Sequence, residues 1–265
     1  MEKKSDYENE KIYPSLVLGL DISTTCIGIS IVFDDGIKEP EIIKITHVVP
    51  KINNKIKGIE ALILRKEIFE RDFLSTIKDL GITECIIESP LNFATGNSNP
   101  QTISQLLQFN GLLSEAVYRV LGIIPHYISS YDARMQSFPS LLSIRKFNKK
   151  GELYPKKHIL KSINENHLVL FGSFPFDCDK KHIMMNCVCD KYPDINWVYD
   201  KNGKLKKENY DACDSLVCAL AYINTKRYGE INPEIVSVQE KENNEIEYVV
   251  KVWDKFYTKS IIVNE

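Results

Sequence analysis

The sequence predicts an α/β fold, a mixed five-stranded β-sheet flanked by helices, and three observations predict it. Short apolar runs bounded by turns alternate with longer stretches of helical period; the first three runs are joined by short hairpin-like links; and each helical stretch after residue 55 is followed by another short strand run or by the end of the pattern.

Each element follows in order. Residues 1–14, "MEKKSDYENEKIYP", are charged and aperiodic and end in Pro14, so they are expected to be a flexible lead. "LVLGLDIS" (16–23), "CIGISIVFDD" (26–35) and "EIIKITHVV" (41–49) predict three antiparallel strands. Ile59, Leu62, Ile63, Ile68, Phe69, Phe73, Leu74 and Ile77 recur on a helical period and feed a fourth strand, "ECIIES" (84–89). A second helical pattern runs from Ile103 to Val120, Gly122 supplies its stop, and "PHYISS" (125–130) is the fifth strand. The final helix is expected over 211–225. The main domain spans 15–228, with an insertion at about 166–209 that contains a short helix near 179–192 and a turn at "DKNGK" (200–204). Residues 229–265, with a polar stretch followed by "YVVKVW", read as an appended C-terminal extension.

Composition sets bounds on function. The 265 residues are enough for a substantial core, and a net charge of −2 gives no global nucleic-acid signature, so any such function needs a local basic surface. Seven cysteines in an ordinary mid-sized chain point to reduced thiols and a cytoplasmic or other intracellular, DNA-containing compartment. No apolar run approaches the roughly 18 residues of a spanning helix, and no membrane partner is expected.

The chemistry concentrates in carboxylates. Asp21 ends the first strand and Glu88 the fourth, each interrupting an apolar run, and burying such a charge is costly unless it is paired or binds a cation. In "YDACDSLVCALAY", Asp211 and Asp214 stand three apart, on one helical face, with no basic residue of matching position. Any one of the four alone is more often a turn, a cap or a first-turn charge. Together they imply a hard cation, Mg²⁺ or Mn²⁺, in the two-ion arrangement that serves phosphodiester cleavage.

These segments carry a resemblance. "LGLDISTTCIGISIV", "CIIESP" and "YDACDSLVCALAY", in that order, resemble the metal-binding motifs of RuvC-type Holliday junction resolvases, within the ribonuclease H-like superfamily. The resemblance covers residues 16 to about 225. It implies a ribonuclease H-like fold and a homodimer whose subunits each hold two Mg²⁺ through Asp21, Glu88, Asp211 and Asp214. It implies paired nicks in branched DNA, leaving 5′-phosphate and 3′-hydroxyl ends. In that family the helix after the second motif, here "SQLLQFNGLLSEAVY" (104–118), supplies much of the dimer surface.

The local basic surface is expected at 144–162, where Arg145, Lys146, Lys149, Lys150, Lys156 and Lys157 would contact phosphates. Lys157 opens a helix where the resembled proteins place a lysine near the scissile phosphate, so it is expected to take a catalytic part. Phe93, in the loop after Glu88, would stack on or wedge between bases. Cys178, His182, Cys187 and Cys189 lie close in sequence but fit no usual zinc spacing, and buried structural cysteines are the preferred reading. Two alternatives keep parts of this pattern. One is a RuvC-like DNA nuclease without junction preference. The other is an ATP-binding protein of the actin, Hsp70 and sugar-kinase group, whose first phosphate loop has a strand like "GLDISTTCIGISI" but whose further glycine motifs are missing here.

Overall fold

A computed structural model describes residues 14–90, 99–172 and 179–263. Its central sheet is built from β1 (Ser15–Ile22), β2 (Ile27–Asp34), β3 (Glu41–Val48), β4 (Glu84–Glu88) and β5 (His126–Ile128), in the order β3-β2-β1-β4-β5. The pairs β1–β2 and β2–β3 are antiparallel, whereas β1–β4 and β4–β5 are parallel. This is the mixed five-stranded sheet expected.

Two layers of helices cover it. On one face lie α1 (Gly58–Phe69), a π-helical turn (Glu70–Leu74), the short α2 (Ser75–Ile77) and α3 (Pro100–Leu121). Their Leu62, Phe69, Phe73, Phe109 and Leu113 bury against Leu18, Leu20 and Ile87. The other face is covered chiefly by α7 (Glu208–Tyr228), flanked by α4 (Ser130–Ser137) and α6 (Lys180–Lys191). There Leu216, Val217 and Leu220 pack on Val17, Val32 and Ile86. Both faces of β1 and β2 are therefore covered, which is why these strands read as continuous apolar runs. Gly122 stops α3 in the left-handed conformation (φ 73°), its N–H donating to Tyr118 O at 2.8 Å.

Three expectations change. The final helix begins at Glu208 rather than 211, so Asp214 stands in its second turn, away from the orphan N–H groups that relieve a first-turn charge. The segment before the basic stretch contains α4, whose Ser129 cap accepts from Asp132 N (3.1 Å), and the basic stretch is bracketed by a two-stranded sheet of β6 (Leu142–Ile144) and β7 (Leu168–Leu170). Residues beyond 229 form a three-stranded antiparallel sheet, β8 (Glu234–Glu240), β9 (Glu245–Val252) and β10 (Lys255–Ile262), with β9 in the middle. Alternate β9 residues Ile246, Tyr248, Val250 and Val252 are buried with Leu142, Ile144 and, from α5 (Lys156–Asn164), Ile159 and Ile163. The Tyr248 hydroxyl accepts from Ile144 N at 3.2 Å. Asn166 donates to Pro233 O and accepts from Ile235 N. The extension is thus built into the core of the chain's second half. Among the described residues, no helix is long and apolar enough to cross a membrane.

Candidate metal centre

Strand alternation decides which side chains meet. Val17, Gly19 and Asp21 share one face of β1, and Ile86 and Glu88 share the same face of β4, because Val17 and Ile86 both bury toward α7. The parallel register places Leu20 beside Ile87, so Asp21 and Glu88 end adjacent strands side by side. From the opposite layer, α7 brings Asp214, only 4% exposed. Ligand oxygens of Asp21, Glu88 and Asp214 all lie within 4.8 Å of one another. Asp211, one turn earlier, is outside this trio and lines an adjoining cleft of about 330 Å³ with Thr25, Cys26, Asp179, Lys181 and Glu208.

Two glycines make the approach possible. A Cβ on Gly28 would overlap the backbone carbonyl of Asp211 and stand 2.7 Å from Ala212 N. One on Gly19 would strike the Ser215 carbonyl and come within 2.5 Å of Ser30 Oγ. The helix carrying the acids therefore rests on bare strand backbone, in the space side chains would fill.

The expectation that the carboxylates lack basic neighbours is corrected. Lys181, at the start of α6, reaches Asp214 at 3.3 Å and Asp211 at 3.9 Å. Arg134, on α4, reaches Asp214 at 3.6 Å. Lys181 is aimed by its helix start, where the Asp179 carboxylate accepts from Lys181 N and His182 N. Neither cation was singled out in the sequence. Signals for their helices were present, in Ser129-x-x-Asp132 and in Asp179 followed by a helical run, but nothing local says that helices so far apart in sequence converge.

Electrostatics show that these two cations do not balance the site. Burial, followed by the charges of Glu88, Asp214 and Asp211, holds the Asp21 carboxyl well above its ordinary range. Burial and the Asp214 charge push Glu88 up to about 7. Asp211 is raised by burial too, against the lowering effects of the Cys26 thiol and Lys181. Burial disfavours the charged form of Lys181, but Asp214, Asp21 and Asp211 outweigh it and raise its pKa. The residual excess of negative charge, held by oxygen donors alone, is what a hard divalent cation fits.

The remaining predicted residues fall elsewhere. Lys157 is exposed on α5, and the lysine paired with the carboxylates is Lys181. Lys156 pairs with Glu240 at 2.6 Å, so its charge is spent on the C-terminal sheet. Lys149 and Lys150 are exposed at a tight turn closed by the Phe147–Leu153 bridge; Arg145 is exposed and Lys146 half-buried beside it. Phe93 and Cys178 lie outside the described residues. Cys187 and Cys189 pack against the core around α7, and His182 Nδ1 stands 3.4 Å from the Tyr210 hydroxyl.

Fold and site together define an α/β protein with a buried acidic centre at the ends of parallel strands. No family model and no curated protein matches the chain. Among solved structures, Thermus thermophilus RuvC is similar with a TM-score of 0.48 at 13% identity, over 81% of this chain and 97% of that one. T. thermophilus RuvC in complex with Holliday junction substrate gives 0.45 at 10% identity, over 82% and 97%. The yeast mitochondrial Holliday junction resolvase Ydc2 gives 0.44 at 12% identity, over 81% and 80%. These are likenesses of fold at low identity.

Proposed function

We propose that the chain is a divalent-metal-dependent DNA endonuclease acting on four-way junctions. The observation that carries this reading is the convergence of Asp21, Glu88 and Asp214, from three separate elements, on one point bordered by Asp211. A bound Mg²⁺ or Mn²⁺ supplies Lewis acidity and a lowered water pKa, the chemistry of phosphodiester hydrolysis. The chain's own part is to hold carboxylate oxygens in place by packing α7 directly onto β1 and β2, and to offset part of their charge with Lys181 and Arg134. Two ions per site would use Asp21, Glu88 and Asp214 with Asp211 as the outer ligand.

Lys181, rather than Lys157, is the ammonium positioned to meet a phosphate at this centre, since it spans both Asp211 and Asp214 at the mouth of the cleft. Specificity for junctions rests on the motif resemblance and on a homodimer that pairs two such centres. The surface proposed for dimerisation is α3, which leaves Leu107, Gly111 and Tyr118 exposed on one side. The test is cleavage of a synthetic four-way junction and of linear duplex, with Mg²⁺ and with chelator. Metal-dependent cleavage of the junction, much faster than of duplex, is expected. Activity undiminished by chelator overturns the metal centre; equal rates on duplex make the protein a RuvC-like nuclease without junction preference.

A further inference from the structure

Lys146 follows β6, and its backbone N–H donates to Gly172 O at 2.9 Å. Its stem runs over Gly172 (φ +69°), with Cε 3.1 Å from where a Cβ on that glycine would stand. Lys259, on β10 opposite Tyr248, sends its ammonium group to the carbonyl of Ser140. Both lysines are half-buried, and among the described residues neither forms an ion pair. Both approach the Ser143 hydroxyl, which stands 2.5 Å from that same Gly172 Cβ position and 3.2 Å from the hydroxyl of Tyr248, the residue paired with Lys259; burial lowers the pKa of both ammonium groups, and the charge of Lys146 lowers that of Lys259 further.

Two desolvated ammonium groups brought together without a carboxylate are an unbalanced arrangement, since each costs solvation and each repels the other. An anion between them removes both costs. The surface beside them extends the positive charge, because Lys149 and Lys150 project from the turn that Lys146 enters. A row of positive groups at increasing exposure suits a polyanion better than a lone small ion.

We propose that Lys146 and Lys259 together bind one phosphate of the DNA backbone, which makes the C-terminal sheet part of the DNA-binding surface. The inference rests on the nuclease reading for the identity of the polyanion. It explains why the three-stranded sheet is fastened to β6 and α5: Tyr248, through Ile144, fixes β9 two residues from Lys146, while the neighbouring β10 carries Lys259. In this arrangement Lys146 acts with a partner that lies far away in sequence.

The test is full-chain binding to a four-way junction and to duplex as a function of salt, for the wild type, Lys146→Met with Lys259→Met, and Lys146→Arg with Lys259→Arg. Loss of one shared phosphate contact makes the log–log salt slope shallower by about 0.9 and weakens binding about tenfold near 0.1 M salt. The Arg pair keeps the wild-type slope. The Tm of the Met pair holds or rises because two desolvated charges are gone. An unchanged slope and affinity overturns the proposal, as does weakening that is equal at all salt concentrations with a lowered Tm. Inorganic phosphate, titrated alone, is expected to raise the Tm far less than DNA does; a Tm gain from it equal to that from DNA overturns the polyanion assignment. Wild-type protein that binds DNA with the steep slope but cleaves nothing with metal overturns the nuclease reading and leaves this contact standing.

Discussion

At the head of α7 the chain gathers Asp21, Glu88, Asp214 and Asp211, and where β10 approaches β6 it gathers Lys146 and Lys259. Both places crowd like charges out of water, but they are assembled differently. The acids come from strand ends and from a helix lying on bare glycine backbone, and two cations already offset part of their charge. The lysines come from an irregular segment and an added sheet, with no counter-charge among the described residues. The first arrangement is rigid and deep, suited to a small cation; the second is shallow and opens onto exposed lysines, suited to an extended anion. Uncompensated charge of either sign is retained by a fold only where something outside the chain balances it, or where it is tolerated at a cost in stability.

The sharpest way to break that comparison is to remove one acid. Asp21→Asn should reduce metal-dependent cleavage by on the order of 10³-fold, the loss of several kcal/mol of transition-state stabilisation. DNA binding and folding should survive, and the Tm of metal-free protein should hold or rise, because the substitution relieves crowding. A clear fall in metal-free Tm, measured by calorimetry beside the nicking assay, would mean that Asp21 serves the fold instead.

Next in size is the glycine floor. Gly28→Ala forces β2 and α7 apart and should cost about 1–3 kcal/mol of stability, with cleavage lost in the folded fraction as well. Gly111→Ala, on α3 where a Cβ meets open space, should instead stabilise by roughly 0.5–1 kcal/mol as an ordinary helix substitution. Urea unfolding of the two variants separates close approach from general glycine effects; equal changes would show that the contact at Gly28 relaxes freely.

A smaller effect is expected at the cations. Lys181→Met should lower cleavage by roughly 10- to 100-fold, the range seen when groups orienting a metal site are removed, while Lys157→Met changes it little. Single-turnover rates at saturating junction give the answer directly. A larger loss at Lys157 would return the phosphate-facing part to α5.

How much of this was legible follows from where the information lies. The five strands and α3 with its Gly122 stop are local patterns of period and turn, and they are read correctly from sequence; Asp21, Glu88 and Asp214 stand out as interruptions of such patterns and meet in the fold, with Asp211 outside the trio. Arg134 and Lys181 were not read, because their approach to Asp214 depends on how α4 and α6 pack against α7, a tertiary matter. The start of α7 was misplaced for a different reason. Lys207, at the N-cap, makes no capping hydrogen bond, and Asn209, a cap-forming residue type, bonds to both backbone groups of Val198 instead, so the helix start is held by packing. The C-terminal strands showed only one clear β run because β8 has a mostly exposed, polar pattern and borrows its order from β9.

The weakest and most discriminating effect is on the pH dependence of stability, where the two charge clusters carry opposite signs. Glu88, with its folded pKa pushed up to about 7, binds more protons folded than unfolded over the range from its ordinary value of about 4.3 upward. Its contribution to stability is full below that lower value and is lost as pH rises through about 7; Asp21 adds the same sign. Metal-free protein should therefore lose Tm between pH 5 and 8, the range spanned by these shifts. Glu88→Gln should flatten that fall. Saturating Mg²⁺ should remove it too, with protons released on binding because the ion requires the ionised form. Lys146 and Lys259 have folded pKa values lowered by burial, so the unfolded chain binds the extra proton and stability rises with pH on the alkaline side, approaching the ordinary lysine value. Lys146→Met should reduce that alkaline rise to the part that burial of Lys259 contributes and leave the neutral fall intact. Thermal melts across pH for the wild type, Glu88→Gln and Lys146→Met resolve the two windows independently. A single substitution that altered both would show that the acids and the lysines form one electrostatic unit rather than two.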